Sequence, residues 1–354
     1  MKNIGKNIIA VLLLAVALIT TACGGQGTAD KEASIEKVDF KIGYLPSAGH
    51  ILYFIAQEKG YFAEEGLNTE LALFNNSGEG ISAVASGKLD VGAFGSSAPL
   101  VYMSKGSPIT IFGGQMSQGH ALVAKAERAA EFNDLKNLRG KTVATIRLAT
   151  GDIVFREAAI QQGLKIGEDV KFTEMESGSV AMEAVKNGAA DLAVVWTPLR
   201  KMAEQQGLKI VKYSPEVTGF ENHPCCRQIA STQAIKKHPE KYEAFQRAMI
   251  KAYRFYKTEQ QASIDILAKY VNIDKDILFA ETYGKYVESN PDPCKRAVID
   301  FYKYMKDVGY IEKDFDVEQH INTDIYKKAL ADMVAAEPND PVFQKLQSDF
   351  EKNN

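Results

Sequence analysis

Apolar and polar positions follow two rhythms along this chain, and the rhythm changes near residue 232. Before it, short apolar runs with strand periodicity are separated by segments with helical spacing. Val38–Leu45 alternates and then turns apolar, predicting a first strand, with a turn over Pro46–Gly49. His50–Lys59 carries Leu52, Ile55 and Ala56 on one helical face, and Asn68–Phe74 predicts a second strand. Ser77–Ser97 then reads SGEGISAVASGKLDVGAFGSS. It predicts a helix over Gly80–Ser86, a turn at Gly87, a buried strand over Asp90–Phe94 and a small-residue loop. About a hundred residues later Ser177–Thr197, SGSVAMEAVKNGAADLAVVWT, repeats that order of features. The echo predicts two similar α/β units facing each other across a cleft.

Each half continues the alternation. A helix over Ser96–Lys105 and a strand over Pro108–Gly114 complete the first, and Ala121–Ala124 leads out of it as a further strand. A surface helix and turn are expected over Phe132–Gly140. Lys141–Ile146, Ile153–Gln162, Val170–Met175 and Leu208–Tyr213 predict strand, helix, strand and last strand of the second half. Strand–helix alternation with short connections predicts open parallel sheets covered on both faces. After Thr232 the chain is almost entirely helical, over Lys241–Lys257, Gln260–Tyr270, Lys275–Glu288 and Cys294–Asp307, with Pro239, Asn290-Pro291 and Gly309 as breakers.

In open α/β sheets ligands sit beyond the carboxyl ends of the strands. That rule selects the loops Pro46–His50, Gly95–Ser97, Gly114–His120, Arg147–Gly151 and Trp196–Pro198. Ser96, Ser97, Thr150 and Thr197 fall near helix N-termini, which suit an anionic group. The same hydroxyls are equally the residues that cap helices. With them stand Pro46, Ser47, Gly95 and Gln115 as candidate ligand contacts. Trp196, the single Trp, is either a packing residue or a lid over a ligand. Arg147 is either a bidentate anion partner or a surface cation.

Composition narrows the classes. The 354 residues suffice for two ordinary domains, and 45% hydrophobic with 25% charged residues is typical of a globular chain. The formal net charge of −3 offers no basic excess for phosphates, so nucleic acid is not expected as a partner. Residues 1–22 read as a signal peptide: Lys2 and Lys6, then the apolar run Ile8–Ile19, too short for a membrane span. Ala22-Cys23-Gly24 with a flexible tract behind it resembles a bacterial lipoprotein signal, although Thr20 stands where that pattern usually has Leu. Cys23 would then be the acylated N-terminus, residues 23–37 a tether, and the protein a monomer held at the extracytoplasmic face of the cell membrane.

Three further cysteines remain, Cys225, Cys226 and Cys294, an odd number for an exported protein. Asn222-His223-Pro224-Cys225-Cys226-Arg227 is an unusual polar stretch where the α/β pattern breaks. His50, His120 and His223, three of five histidines, fall on or next to expected cleft loops. With the cysteines they could hydrogen-bond an organic solute, form a metal or chelate site, or pack at a hinge. Cys225-Cys226 could also form a strained disulfide, or one of them could pair with Cys294. A third function, an enzyme with a Cys nucleophile and a His base, lacks any readable oxyanion arrangement. No phosphate loop, CxxC pair or HExxH appears, so no cofactor or resident metal is expected.

Ile42-Gly43-Tyr44-Leu45-Pro46, His50–Gly66 (HILYFIAQEKGYFAEEG), Gly87-x-x-Asp90 with Gly95-Ser96, Leu135–Lys141 (LKNLRGK) and Lys237–Glu240 (KHPE) resemble the solute-binding proteins of nitrate, sulfonate and taurine type ABC importers. The superfamily includes binding proteins for thiamine-pyrimidine precursors. The resemblance, over about residues 38–310, implies a type II periplasmic-binding fold, with two α/β lobes joined by two hinge strands. Lobe 1 would be 38–124 and 225–354, lobe 2 would be 125–224, and the crossings would lie near 121–125 and 225–231. It implies hinged capture of a small solute, anionic or heteroaromatic, for an ABC permease. The His-Pro-Cys-Cys stretch departs from the sulfonate-type pattern. Cys-rich stretches occur in some thiamine-pyrimidine relatives.

Overall fold

The computed structural model describes residues 37–74 and 76–354. The signal peptide, Cys23 and nearly all of the tether lie outside them. Among the described residues no helix is long and apolar enough to cross a membrane.

Among the described residues eleven strands form two sheets. They are β1 (Val38–Tyr44), β2 (Leu67–Leu73), β3 (Val91–Gly95), β4 (Ile109–Gln118), β5 (His120–Lys125), β6 (Thr142–Thr145), β7 (Lys171–Glu174), β8 (Leu192–Trp196), β9 (Leu208–Tyr213), β10 (Pro224–Ser231) and β11 (Val287–Ser289). The first sheet has the order β11-β4-β10-β3-β1-β2 and the second β7-β6-β8-β5-β9. In β1, Phe40 and Ile42 point into the core while Asp39 and Lys41 face solvent, which fixes the register.

The sheets are mixed rather than parallel. β1 runs parallel to β2 and β3, and β6 parallel to β7 and β8. Each crossing strand enters its new sheet reversed: β5 lies antiparallel between β8 and β9, and β10 antiparallel between β3 and β4. The first crossing also comes earlier than expected. His120 already pairs with Trp196, and the whole of β5 belongs to the second sheet. The turn is made at Gly119, with φ +89°, so residues 120–124 leave the first lobe. Pro224 pairs with Ser117, so the return is complete one residue before the expected boundary.

Two other expectations change. The helix from Lys275 stops at Thr282, and Val287–Ser289 adds an edge strand to the first sheet. Gly284 sits between them, where a Cβ would lie 2.0 Å from the Ala280 carbonyl oxygen. The expected surface helix over 132–140 is two short 3-10 segments, Ala126–Phe132 and Leu135–Leu138.

The long helix Pro239–Thr258 packs against Ile51–Glu58, and Phe245 stacks on Phe40 and Phe62 in the core beneath the first sheet. A second apolar cluster contains residues of both lobes. Phe94, Ile229 and Phe301 belong to it from one side, Leu122, Val143 and Phe155 from the other.

Candidate functional site

The two echo units fold alike. Asn76 caps the helix Ser77–Ala85 and Ser177 caps Gly178–Lys186, each accepting a backbone N–H three residues on. Each helix turns at a glycine into a buried strand, β3 or β8. Their ends face the crossing strands, but their hydroxyls do not behave as caps. Ser96 donates its N–H at 2.7 Å and its Oγ–H at 3.2 Å to the Cys225 carbonyl. Thr150, from the second lobe, donates its Oγ–H to the same carbonyl at 3.1 Å. At Gly95 a Cβ would meet Thr150 Oγ1 at 3.5 Å, an ordinary contact, so this approach does not require the glycine. Thr197 donates to the Glu281 carbonyl at 2.7 Å. Ser97 Oγ is buried and has no partner.

Other expected residues separate. Pro46 is solvent-exposed, and Ser47 caps the 3-10 turn Ala48–His50. The Trp196 ring packs over the start of its own unit, 3.2 Å from where a Gly178 Cβ would be. Arg147 pairs with Glu174 at 2.9 Å on the surface. Cys294 is free, as are Cys225 and Cys226.

The histidines form two groups. His50 is fully buried, and its Nδ1 accepts from the Leu45 N–H at 3.1 Å. The proton therefore sits on Nε2, which has no partner. Burial pushes its pKa down to about 3. Its ring lies 5.9 Å from that of Tyr53, whose buried hydroxyl is also unpartnered. The second group is His120 and His223, with ring centroids 5.7 Å apart. His223 Nδ1 donates to the Phe220 carbonyl at 2.7 Å, leaving Nε2 a buried acceptor. Its pKa falls to about 4, mainly by burial. His120 Nε2 lies 3.8 Å from Cys225 Sγ, and burial, then the neighbouring His223 and Arg200, hold its pKa well below normal. Cys225 Sγ and Cys226 Sγ are 3.5 Å apart, beside Met116. Among the described residues no three His, Cys, Asp or Glu side chains converge with metal-site spacing.

Sequence reasoning missed the charges at this junction. Arg200, from the helix Leu199–Gln205, reaches across to Glu281 of the helix Lys275–Thr282 at 2.9 Å, both nearly fully buried. Burial raises the Glu281 pKa, opposed by the Arg200 charge. Arg227 donates to the Met116 and Cys226 carbonyls at 2.9 and 2.7 Å, and to Ser117 Oγ. A chain of amides runs from Gln246 through Gln228 to Gln115, whose Nε2 ends it unpartnered. Tyr53 was legible as the residue one helical turn beyond His50. Nothing in the sequence links Arg200 to a residue 81 positions away. The walls are closed on one another here. A groove of about 540 Å³ lies outside the junction, lined by Phe220, His223, Arg296, Tyr304 and Lys352 among others.

A formylaminopyrimidine-binding protein of Halalkalibacterium halodurans is 24% identical over 266 residues, covering 74% of this chain and 78% of its own. A 4-amino-5-hydroxymethyl-2-methylpyrimidine phosphate synthase of Saccharomyces cerevisiae is 26% identical over 236 residues, covering 62% and 66%. The ligand-binding component of an ABC-type import system of Staphylococcus aureus, solved with zinc bound, superposes with a TM-score of 0.70 at 20% identity, over 83% of this chain and 99% of that one. The fold is that of the periplasmic binding proteins. Residues 47–263, well over half of the sequence, match the NMT1/THI5-like family, and to that family this chain belongs.

Proposed function

We propose that this protein is the extracytoplasmic solute-binding component of an ABC importer, closing over a small neutral heteroaromatic solute of the aminopyrimidine class. One observation carries the reading. Of the fifteen buried polar side-chain atoms without a partner among the described residues, five lie on or beside the strand-end loops: His50 Nε2, Tyr53 Oη, Ser97 Oγ, Gln115 Nε2 and His120 Nδ1. Each such atom costs about 1–3 kcal/mol when left unpaired, and buried polar groups in folded proteins are almost always paired. A polar solute held between the lobes supplies the missing partners. The solute is neutral because the three histidines are held uncharged and the arginines of the junction are committed to Glu281 or to carbonyls. A sulfonate or nitrate would find these guanidinium groups largely engaged, Arg227 Nε being their nitrogen among the buried atoms without a partner.

The formylaminopyrimidine-binding relative supports the same class. The synthase relative raises turnover as the second reading. A nucleophilic cysteine requires a thiolate, yet the Cys226 thiol and then burial raise Cys225 far above its ordinary value while its neighbour His120 is a weakened base. Binding is therefore the better-supported role. Attachment through lipid on Cys23 and a monomeric state complete the proposal. They rest on the signal pattern, and metabolic labelling with palmitate, lost in Cys23→Ser, tests the anchor. Isothermal titration of the reduced protein with a formylaminopyrimidine and with an alkanesulfonate tests the solute. The pyrimidine should bind and the sulfonate should not, and the reverse order sinks the reading.

A further inference from the structure

We propose that Cys225 and Cys226 are a reversible redox modification site, closing to a vicinal disulfide that loosens the contact between the lobes. This rests on the solute-binding reading only for its consequence; the thiol chemistry stands on the strand geometry.

Successive side chains of a regular strand point to opposite faces. Here they do not. Pro224 pairs with Ser117 and Cys226 with Met116, adjacent residues of β4, so Cys225 is the extra residue of a bulge. The bulge brings the two sulfurs to 3.5 Å. Both are free and buried, and His120 Nε2 stands 3.8 Å from Cys225 Sγ.

The peptide unit between these cysteines is also the junction of the lobes. Its carbonyl receives Ser96 N–H and Oγ–H from one lobe and Thr150 Oγ–H from the other. Consecutive Cα atoms are about 3.8 Å apart, less than the roughly 4.4–6.8 Å that a relaxed disulfide spans. Closing the small ring must therefore turn that peptide unit and take its carbonyl away from its donors. A strained disulfide is also easily reduced, which makes the change reversible.

The oxidant is a small organic disulfide reaching the thiols when the lobes part. Parting of the lobes exposes Cys225 to water, which takes its proton, and the thiolate attacks one sulfur of the oxidant and breaks its S–S bond. The expelled thiolate is protonated by solvent. Cys226 then gives its proton to solvent, its thiolate attacks Cys225 Sγ, and the second small thiolate leaves and is protonated. Two protein thiols are oxidised by two electrons, and one organic disulfide is reduced to two thiols.

The test uses the whole protein, purified reduced and then exposed to glutathione disulfide. Alkylation and peptide mapping should find Cys225 and Cys226 unalkylated in a peptide lighter by two hydrogens, with Cys294 alkylated. Hydrogen exchange of the Ser96 amide should quicken about tenfold, and dithiothreitol should restore it. The Cys294→Ser variant should behave as the unaltered protein. Pairing with Cys294, a lasting glutathione adduct on one cysteine, or a vicinal disulfide without a change at Ser96 would each overturn the proposal. None of these readouts needs a solute. Failure of the reduced protein to bind a formylaminopyrimidine would count against the solute reading alone.

Discussion

The two echo units share a fold and differ in how they meet the cleft. The first wall is built into the core. Gly80 and Gly92 lie against the buried Phe94 ring, and the next helix, Ser97–Ser104, is buried on almost every side. Its hydroxyl Ser96 shares a carbonyl that two other donors already serve. The second wall reaches outward. After Thr197 the chain enters a half-exposed helix whose Arg200 crosses to Glu281, and Thr197 is the one hydroxyl on the Glu281 carbonyl among the described contacts. One unit is a fixed surface, and the other is a latch engaging the opposite lobe. Similar sequence therefore built similar shape, and the difference in role lies in the helix that each strand leads into.

The sharpest way to break this contrast is Glu281→Ala. It strands a buried guanidinium, and removing one partner of such a pair costs about 3–5 kcal/mol. Calorimetric unfolding should show that loss, and Arg200→Met in the same chain should recover much of it. A loss near zero would mean that the latch is open in solution. The glycines come next. Gly80→Ala puts a Cβ 2.1 Å from the Phe94 ring, an overpacking cost of about 1–3 kcal/mol. Gly178→Ala meets the end of the Leu199 side chain at 2.3 Å, which moves more easily, so urea midpoints should show a clearly smaller loss. Equal losses would remove the distinction between a fixed and a yielding wall.

Acid acts on both sides of the cleft. His50 and His223 are held neutral, with pKa values of about 3 and 4 in the fold against about 6.5 in the unfolded chain. The unfolded chain therefore binds more protons below pH 6.5. The stability these residues contribute is complete above that value and is lost as pH falls towards 4 and 3. Each pH unit in that window removes up to about 1.4 kcal/mol per histidine. His50→Gln should flatten the acid limb of a melting-temperature profile. An unchanged slope would show that His50 is not buried as a neutral ring.

Much of this was legible in the chain. The echo units and the helical tail arise from periodicity and turn signals, which act within a few residues. The mixed sheets were not legible, because strand direction is set by where a crossing strand inserts, and neither β5 nor β10 carries that in its own pattern. The boundary at Gly119 was hidden for the same reason: β5 reads as an apolar strand in either lobe. Among the candidate site residues, His50, Ser96 and His120 lie on loops that the strand-end rule selects, whereas Cys225 stood out only through the unusual His-Pro-Cys-Cys stretch. Trp196 and Pro46 satisfied the same rule and face elsewhere, since position on a loop does not fix where a side chain packs. Arg200 with Glu281 depends wholly on tertiary approach.

The smallest effects discriminate best between the walls. Ser96→Ala deletes one of three donors to the Cys225 carbonyl and leaves its own N–H in place at 2.7 Å. The carbonyl stays satisfied, so the loss should fall at the low end of the roughly 0.5–1.5 kcal/mol that a hydrogen bond contributes. Thr197→Val keeps the shape and deletes the hydroxyl on the Glu281 carbonyl, so it should lie at the high end. The double variant Ser96→Ala, Thr150→Val should lose more than the sum of its single changes, because the second deletion removes the remaining side-chain donor to Cys225. Thr197→Val combined with Ser96→Ala should simply add, since the two hydroxyls serve carbonyls on separate elements. Additivity in the first pair and coupling in the second would reverse the assignment of which wall is redundant and which is the latch.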